Sequence, residues 1–348
     1  MATRAADPLA NPSFRAPGFI ERFFGAILGH ERPLDCVQIE VSSVCVGGCA
    51  YCPQEAQKET WKSRHMDPEV FACLWPLLRQ SGRAHLQGWG EPLLHPRFFD
   101  FQTLAARAGC ATSTTSSGIN MSGELARKLV HSGMDLIAFS ITGTDTASNS
   151  IRSKIPFARV CQSIKTLRQA IKESGSKLEI HLAYLLLADR INAVEALPRL
   201  MEELDADMAV ISTLDYLASP AHREWAFTPD DTERVTRTRR LLEKVAAEAE
   251  SLGRIVHFAL PGPDPVPEGC RENVAKCLYV DAEGFVSPCV YRNVPGADPD
   301  DRRLVFGNVM ATAPVTIWNN KDFRDFRQSL LAGHADAVCG SCPKRHEW

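Results

Sequence analysis

The chain has 348 residues, 45% hydrophobic and 23% charged, with 39 Lys and Arg against 42 Asp and Glu. That length allows one large domain, or one with a smaller appendage, and leaves ample apolar material for a core. A formal net charge of −3 gives no electrostatic ground for nucleic-acid or membrane-surface binding.

Taken in chain order, short aliphatic or β-branched runs bounded by turn residues predict strands at 36–41, 83–87, 111–115, 136–141, 178–187 and 208–213. Asp67-Pro68-Glu69 supplies an N-cap and a proline at the first helical position, opening a helix to about residue 80. Ser122 caps a helix over 123–132, where Leu125, Leu129 and Val130 recur at helical spacing. Further helices are expected at 157–172 and 193–204, and Thr228-Pro229-Asp230-Asp231 opens a longer one to about residue 251. Strands alternating with helices predict parallel units joined by right-handed crossovers. The expected class is α/β, as a partial (β/α)6 TIM-like barrel over residues 34–257 after an N-terminal extension, 1–33. An open doubly wound sheet is the alternative.

The pattern changes near residue 258. Pro261-Gly262-Pro263-Asp264-Pro265 reads as a breaker-rich linker. Beyond it, 278–280 and 285–288 flank Ala282-Glu283-Gly284 as a β-hairpin, and a short helix is expected over 322–331. Residues 258–348 are therefore expected to form a small second domain of hairpin plus helix.

Residues 1–17 contain no apolar signal segment and no apolar run is long enough to span a bilayer, so a cytoplasmic protein is expected. In that compartment thiols stay reduced, and twelve cysteines in groups point to metal rather than disulfides. One group is Cys45, Cys49 and Cys52; the other is Cys277, Cys289, Cys339 and Cys342, with Cys270 close by. Cys36, Cys73, Cys110 and Cys161 stand apart and read as small buried hydrophobes.

Cys45-Val46-Gly47-Gly48-Cys49-Ala50-Tyr51-Cys52 is a Cys-x3-Cys-x2-Cys run directly after the first strand. Three thiolates on a glycine-containing loop can grip three irons of a cubane cluster. An electron carrier would normally supply a fourth cysteine, so the vacant iron is the chemical signal. Zinc is the alternative metal, but no nearby His or Cys completes four ligands.

This motif resembles the signature of the radical S-adenosylmethionine (SAM) superfamily. The resemblance implies a [4Fe-4S] cluster on Cys45, Cys49 and Cys52 with SAM on its open iron, cleaved reductively to a 5′-deoxyadenosyl radical. It also implies an external reductant such as a flavodoxin or ferredoxin. Gly88-Trp89-Gly90-Glu91-Pro92 is similar to the family's Gly-Gly-Glu-Pro, implying contacts from Gly88, Gly90 and Glu91 to the SAM amino group. Ser117 follows the third strand, where relatives read Thr-Asn-Gly. Ser140 resembles the ribose-contacting serine, although Thr142 stands where relatives carry Asp. Arg152 matches an arginine that meets the SAM carboxylate.

Gly284-x4-Cys289, preceded by Cys270 and Cys277 and followed by Cys339-x2-Cys342, is similar to the twitch form of the SPASM extension. The resemblance implies a second, auxiliary [4Fe-4S] cluster. Cys289, Cys339 and Cys342 are expected ligands, with Cys270 the choice for the fourth and Cys277 the alternative. A zinc ribbon would suit Cys339-x2-Cys342 equally well. Because the sequence ends six residues after Cys342, one auxiliary cluster is expected.

The function expected from these features is hydrogen-atom abstraction from a substrate in the barrel mouth. The modification is expected to be dehydrogenase-type, on a small molecule, with the auxiliary cluster taking an electron. Modification of a peptide or protein side chain is the alternative, set back because only about 35 residues precede the first strand. A non-enzymatic electron carrier is the rival class. Asp215, His181 and Tyr184 are candidate bases near the ends of strands five and six.

Overall fold

The computed structural model describes residues 7–11, 13–14, 32–228, 231–267, 269–296 and 302–347. Most of the expected 1–33 extension, most of segment 1–17, and Pro229 and Asp230 lie outside the described residues.

Seven strands run parallel in consecutive order: β1 (Leu34–Ile39), β2 (Ser81–His85), β3 (Ala111–Ser116), β4 (Leu136–Ile141), β5 (Glu179–Leu186), β6 (Met208–Thr213) and β7 (Ile255–Phe258). Strand order never reverses, as it must in a doubly wound sheet. The connecting helices α1 (Pro68–Cys73), α2 (Phe98–Arg107), α3 (Gly123–His131), α4 (Phe157–Ser174), α5 (Leu197–Leu204) and α6 (Thr232–Ser251) follow the strands, and α3 to α6 pack side by side in turn. The result is the open partial barrel, with one parallel strand more than expected. The expected break after residue 257 falls at the end of that added strand, β7.

The second domain extends the same sheet. Strand β8 (Cys277–Val280) pairs parallel to β1, and β9 (Phe285–Ser287) and β10 (Gly307–Asn308) continue antiparallel to the edge. Gly284 turns the hairpin at φ +84°, where a Cβ would also press on Val309 at 2.9 Å, so only glycine fits. Helix α7 (Lys321–Leu331) starts at Asn320, whose side chain accepts from the Phe323 amide.

Local sequence explains where the helices differ from expectation. The helix opening at Asp67 breaks after Cys73 and resumes over Trp75–Leu78. Pro76 has no amide hydrogen and its ring opposes the carbonyl four residues back. Pro198 likewise confines the α-helical part of 193–204 to α5, behind a 3-10 turn at Ile191–Ala196. Helix α2 was not singled out by the sequence, though Phe98, Phe101, Leu104 and Ala105 bury one face of it. Helix α4 shows the packing rule plainly. Val160, Ile164, Leu167 and Ile171 recur at three to four residues and are buried, each contributing about 1.5–3 kcal/mol. The helix stops at Gly175, φ +69°.

Candidate active site and a second thiol group

The C-terminal ends of β1 to β6 converge on one cavity of about 290 Å³. Its wall contains Cys45, Cys49 and Cys52 from the loop after β1, and Gly88, Trp89, Gly90 and Glu91 from the loop after β2. Thr115 from β3, Ser117 just beyond it, Ser140 from β4, Arg152, Ala183 and Leu185 from β5, and 212–216 at and beyond the end of β6 also line it, with Tyr291 from the second domain. All nine residues expected to hold the first cluster and SAM therefore line the same space.

The cysteine loop is held from both sides. Gly48 and Cys49 form a two-residue antiparallel ladder with Ser153 and Arg152, and the Ser153 hydroxyl donates to the Gly48 carbonyl at 2.6 Å. A Cβ on Gly48 would lie 2.6 Å from that hydroxyl oxygen. Burial pushes the Cys45 thiol up and the Cys52 thiol up to about 12. Buried thiols with such poor acidity give up their protons when a metal takes their place.

The loop after β2 lies flat against β1's continuation. A Cβ on Gly90 would sit 2.3 Å from the Ser42 carbonyl oxygen, and one on Gly88 2.4 Å from the Glu40 Cβ. Glycine there leaves a backbone cradle beside the thiols. Glu91 is buried, and its carboxylate accepts from the Ser116 hydroxyl at 2.9 Å, the Ser117 amide at 2.6 Å and the Leu93 amide at 3.3 Å. With about four acceptor sites on a carboxylate, capacity for one more donor remains.

Arg152 is 3% exposed. Its Nη1 donates to the Ser140 carbonyl, while its Nε has no partner. A buried guanidinium nitrogen without an acceptor is costly, and a carboxylate in the cavity would satisfy it. Thr142, in the place where relatives carry Asp, is fully buried and its amide donates to Asn149 Oδ1 at 2.9 Å; it does not line the cavity. The three thiols, glycine cradle, carboxylate and the unpartnered Nε of Arg152 fit a cluster and an amino-acid-bearing ligand. No three His, Cys, Asp or Glu side chains among the described residues are grouped as ligands of a single metal ion would be.

Of the candidate bases, only Asp215 reaches the cavity. It accepts from the Thr213 hydroxyl at 2.7 Å and pairs with Lys344 at 3.3 Å. Tyr184 is fully buried, away from the cavity that its neighbours Ala183 and Leu185 line, since side chains alternate along a strand. His181 pairs with Glu179 near the start of β5, at 2.9 Å, far below the mouth. Sequence reasoning missed the aromatic wall. Trp89, Tyr216 and Tyr291 have ring centroids 5.4 to 6.4 Å apart. The Trp89 indole donates to the Val290 and Asn293 carbonyls at 3.3 and 3.2 Å, so the second domain pins the cavity wall. The signal available was Trp89 standing in place of the first part of the Gly-Gly-Glu-Pro pattern.

The second thiol group is assembled from three segments. Cys289 is half-buried, and its thiol is pushed well up by desolvation, by the Glu272 carboxylate and by the thiols of Cys342, Cys270 and Cys339 around it. Cys270 packs in a small apolar cluster with Val274 and Leu330, touched by Cys289 and Cys339. Cys277 lies elsewhere, opposite Cys36 in the β1–β8 pairing, where burial and the neighbouring Cys36 push its thiol up to about 12. The structure thus groups Cys270, Cys289, Cys339 and Cys342, four thiols suited to a closed cluster.

Residues 39–186 match the family model of the Radical SAM superfamily, and residues 270–343 match that of the SPASM iron–sulfur cluster-binding domain. The tungsten-containing aldehyde ferredoxin oxidoreductase cofactor-modifying protein of Pyrococcus furiosus is 24% identical over 323 residues, 88% of this chain and 86% of that one. An AdoMet-dependent heme synthase of Nitratidesulfovibrio vulgaris is 22% identical over 342 residues, with the same two shares. Among solved structures, native anSMEcpe with bound AdoMet has a TM-score of 0.64 at 15% identity, over 85% of this chain and 84% of that one. Streptococcus suis SuiB bound to S-adenosylmethionine has a TM-score of 0.63 at 13% identity, over 93% and 74%. At these identities the solved structures speak for the fold.

Proposed function

This chain belongs to the radical SAM superfamily and carries a SPASM iron–sulfur domain, and from that premise we propose that it performs a dehydrogenase-type radical modification of a small, cofactor-like molecule. The observation that carries the reading is the single cavity shared by Cys45, Cys49 and Cys52 with Gly88, Gly90, Glu91, Ser117, Ser140 and Arg152. The names of the two long relatives, a cofactor-modifying protein and a heme synthase, support a small molecule over a peptide side chain.

Cys45, Cys49 and Cys52 would hold a [4Fe-4S] cluster, which would supply the electron for reductive cleavage of SAM and so for hydrogen-atom abstraction. The rest is the work of this chain's side chains. The Gly88 and Gly90 backbone lets SAM approach closely, and Glu91 accepts from its ammonium group. Arg152 Nε donates to its carboxylate, a charge-assisted contact in a site with little water. Ser117 and Ser140 offer hydroxyls to the nucleoside part. Trp89, Tyr216 and Tyr291 close the side facing the second domain and keep water from the radical. Asp215, held at 3.3 Å by Lys344, stands ready to take a proton from the substrate. Cys270, Cys289, Cys339 and Cys342 hold the auxiliary [4Fe-4S] cluster within residues 258–348, and a small external iron–sulfur or flavin protein provides reducing power.

The test is anaerobic reconstitution with iron and sulfide, then addition of dithionite and SAM. The expected product is 5′-deoxyadenosine. Intact clusters with no 5′-deoxyadenosine would leave an electron carrier and end the enzymatic reading.

A further inference from the structure

The four grouped thiols are not equivalent in what surrounds their sulfurs. Cys270 and Cys342 receive backbone amides, from Glu272 and Val274 and from Lys344 respectively. Cys339 receives a cation. Arg292 Nη1 stands 3.9 Å from Cys339 Sγ as a hydrogen-bond donor, the only side-chain donor to this group's sulfurs among the described residues.

Arg292 is placed firmly. It follows Cys289 by three residues, and its amide donates to the Cys289 carbonyl at 3.2 Å. Its Nη1 and Nη2 grip the two oxygens of Asp336, each at 3.1 Å. Asp336 in turn caps the short turn Ala337–Gly340 by accepting the Cys339 amide at 2.7 Å. Arg292, Asp336 and Cys339 thus form a closed triangle that ties the segment of Cys289 to that of Cys339 and Cys342.

The charges on the other side of the group balance. Lys344 lies 2.7 Å from Glu272 and 3.3 Å from Asp215, and Arg271 lies 4.0 Å from Asp215. In the triangle the two charges are opposite but unequally screened. The Asp336 side chain is 41% exposed and that of Arg292 only 8%. Exposure screens the carboxylate, yet at Cys339 its field still outweighs that of the guanidinium, so Arg292 offsets a negative field that would otherwise stand unopposed.

We propose that Arg292 is a tuning residue of the auxiliary cluster, its guanidinium holding the cluster at a higher reduction potential than it would otherwise have. Reduction adds one negative charge to the cluster and its thiolates. A buried cation hydrogen-bonded to a ligand sulfur stabilises that charge, and hydrogen bonds to ligand sulfurs are among the established controls of such potentials. Arg152, the cation beside the first thiol group, instead spends its Nη1 on the Ser140 carbonyl. The proposal rests on the reading that Cys270, Cys289, Cys339 and Cys342 bind a [4Fe-4S] cluster.

The test uses the full chain with Cys45, Cys49 and Cys52 replaced by alanine, so that only the auxiliary cluster is loaded. Iron content and the electron paramagnetic resonance signal of the reduced form establish whether a cluster is present. A potentiometric titration then compares Arg292→Gln, Arg292→Lys and Asp336→Asn with the parent. The expected order is a more negative potential in Arg292→Gln, near-parental behaviour in Arg292→Lys, and a more positive potential in Asp336→Asn. Unchanged potential in Arg292→Gln with a full cluster overturns the proposal. If Arg292→Gln fails to load, Asp336→Asn decides alone: a positive shift upholds tuning, and none leaves Arg292 a structural tie. A parent that takes up no iron refutes the four-thiol reading instead, and the proposal falls with it.

Discussion

The two thiol groups are built by opposite means. Cys45, Cys49 and Cys52 lie within eight residues, on one loop braced by the short ladder to Arg152 and Ser153. Cys270, Cys289, Cys339 and Cys342 come from three segments spread over some seventy residues, and they meet only because β8 and β9 join the sheet and α7 packs beneath. The first group opens onto the cavity, and none of the second group lines it. A local loop can leave one iron free for a ligand, whereas four converging thiols close a cluster and seal it from substrate. Under the proposed function this contrast divides the labour, with reaction at one site and electron transfer at the other.

The sharpest way to break this division is to remove one thiol from each group. Cys49→Ala is expected to abolish 5′-deoxyadenosine formation and to halve the bound iron. Cys289→Ala is expected to keep SAM cleavage and lose the substrate-derived product. Iron analysis and chromatography of the nucleoside read both outcomes, and normal turnover by Cys289→Ala would erase the redox distinction. Arg152→Ala comes next. Losing a charge-assisted contact worth about 1.5–3 kcal/mol should raise the KM for SAM roughly tenfold to a hundredfold while cluster absorbance stays intact. An unchanged KM would mean that Nε faces no carboxylate.

The same contrast explains what could be read from sequence. The Cys45 loop was legible because its ligands, its glycines and the preceding strand are neighbours in the chain. Glu91 and Arg152 were reached through likeness to family motifs, and both line the cavity. Distance to Gly284 favours Cys270 over Cys277 by likeness to the family's first ligand, but leaves Cys277 as an alternative. In the structure the β1–β8 register sets Cys277 opposite Cys36. Tyr184 was misplaced by one residue of strand parity. Trp89 was seen only as a departure from a motif, since its partners, Val290 and Asn293, lie some two hundred residues away.

A smaller effect probes how tightly the SAM loop is seated. Gly90→Ala puts a Cβ into the Ser42 carbonyl oxygen and the Ser43 backbone, and neither can give way without moving the strand that leads to Cys45. Overpacking of this kind costs roughly 1–3 kcal/mol. A lower melting temperature, together with weaker SAM binding, is expected from calorimetry and equilibrium binding. A variant as stable as the parent would show that the loop has slack.

The subtlest test concerns Glu40, which joins the two regions. It is 1% exposed at the end of β1, and its Oε1 accepts the Trp89 amide at 2.8 Å. Burial raises its pKa from 4.5 to about 7. Between those values the folded chain binds more protons than the unfolded one, so stability from this group falls as pH rises through the window and levels off above it. Glu40→Gln keeps an acceptor for the Trp89 amide but cannot ionise. Denaturant melts at pH 6 and pH 8 should therefore show a smaller loss of stability in the variant than in the parent. Equal losses would mean that Glu40 is already ionised at pH 6. The joint between the β2 loop and the second domain would then owe nothing to a retained proton, and Trp89 would be held against a full negative charge on its carboxylate partner.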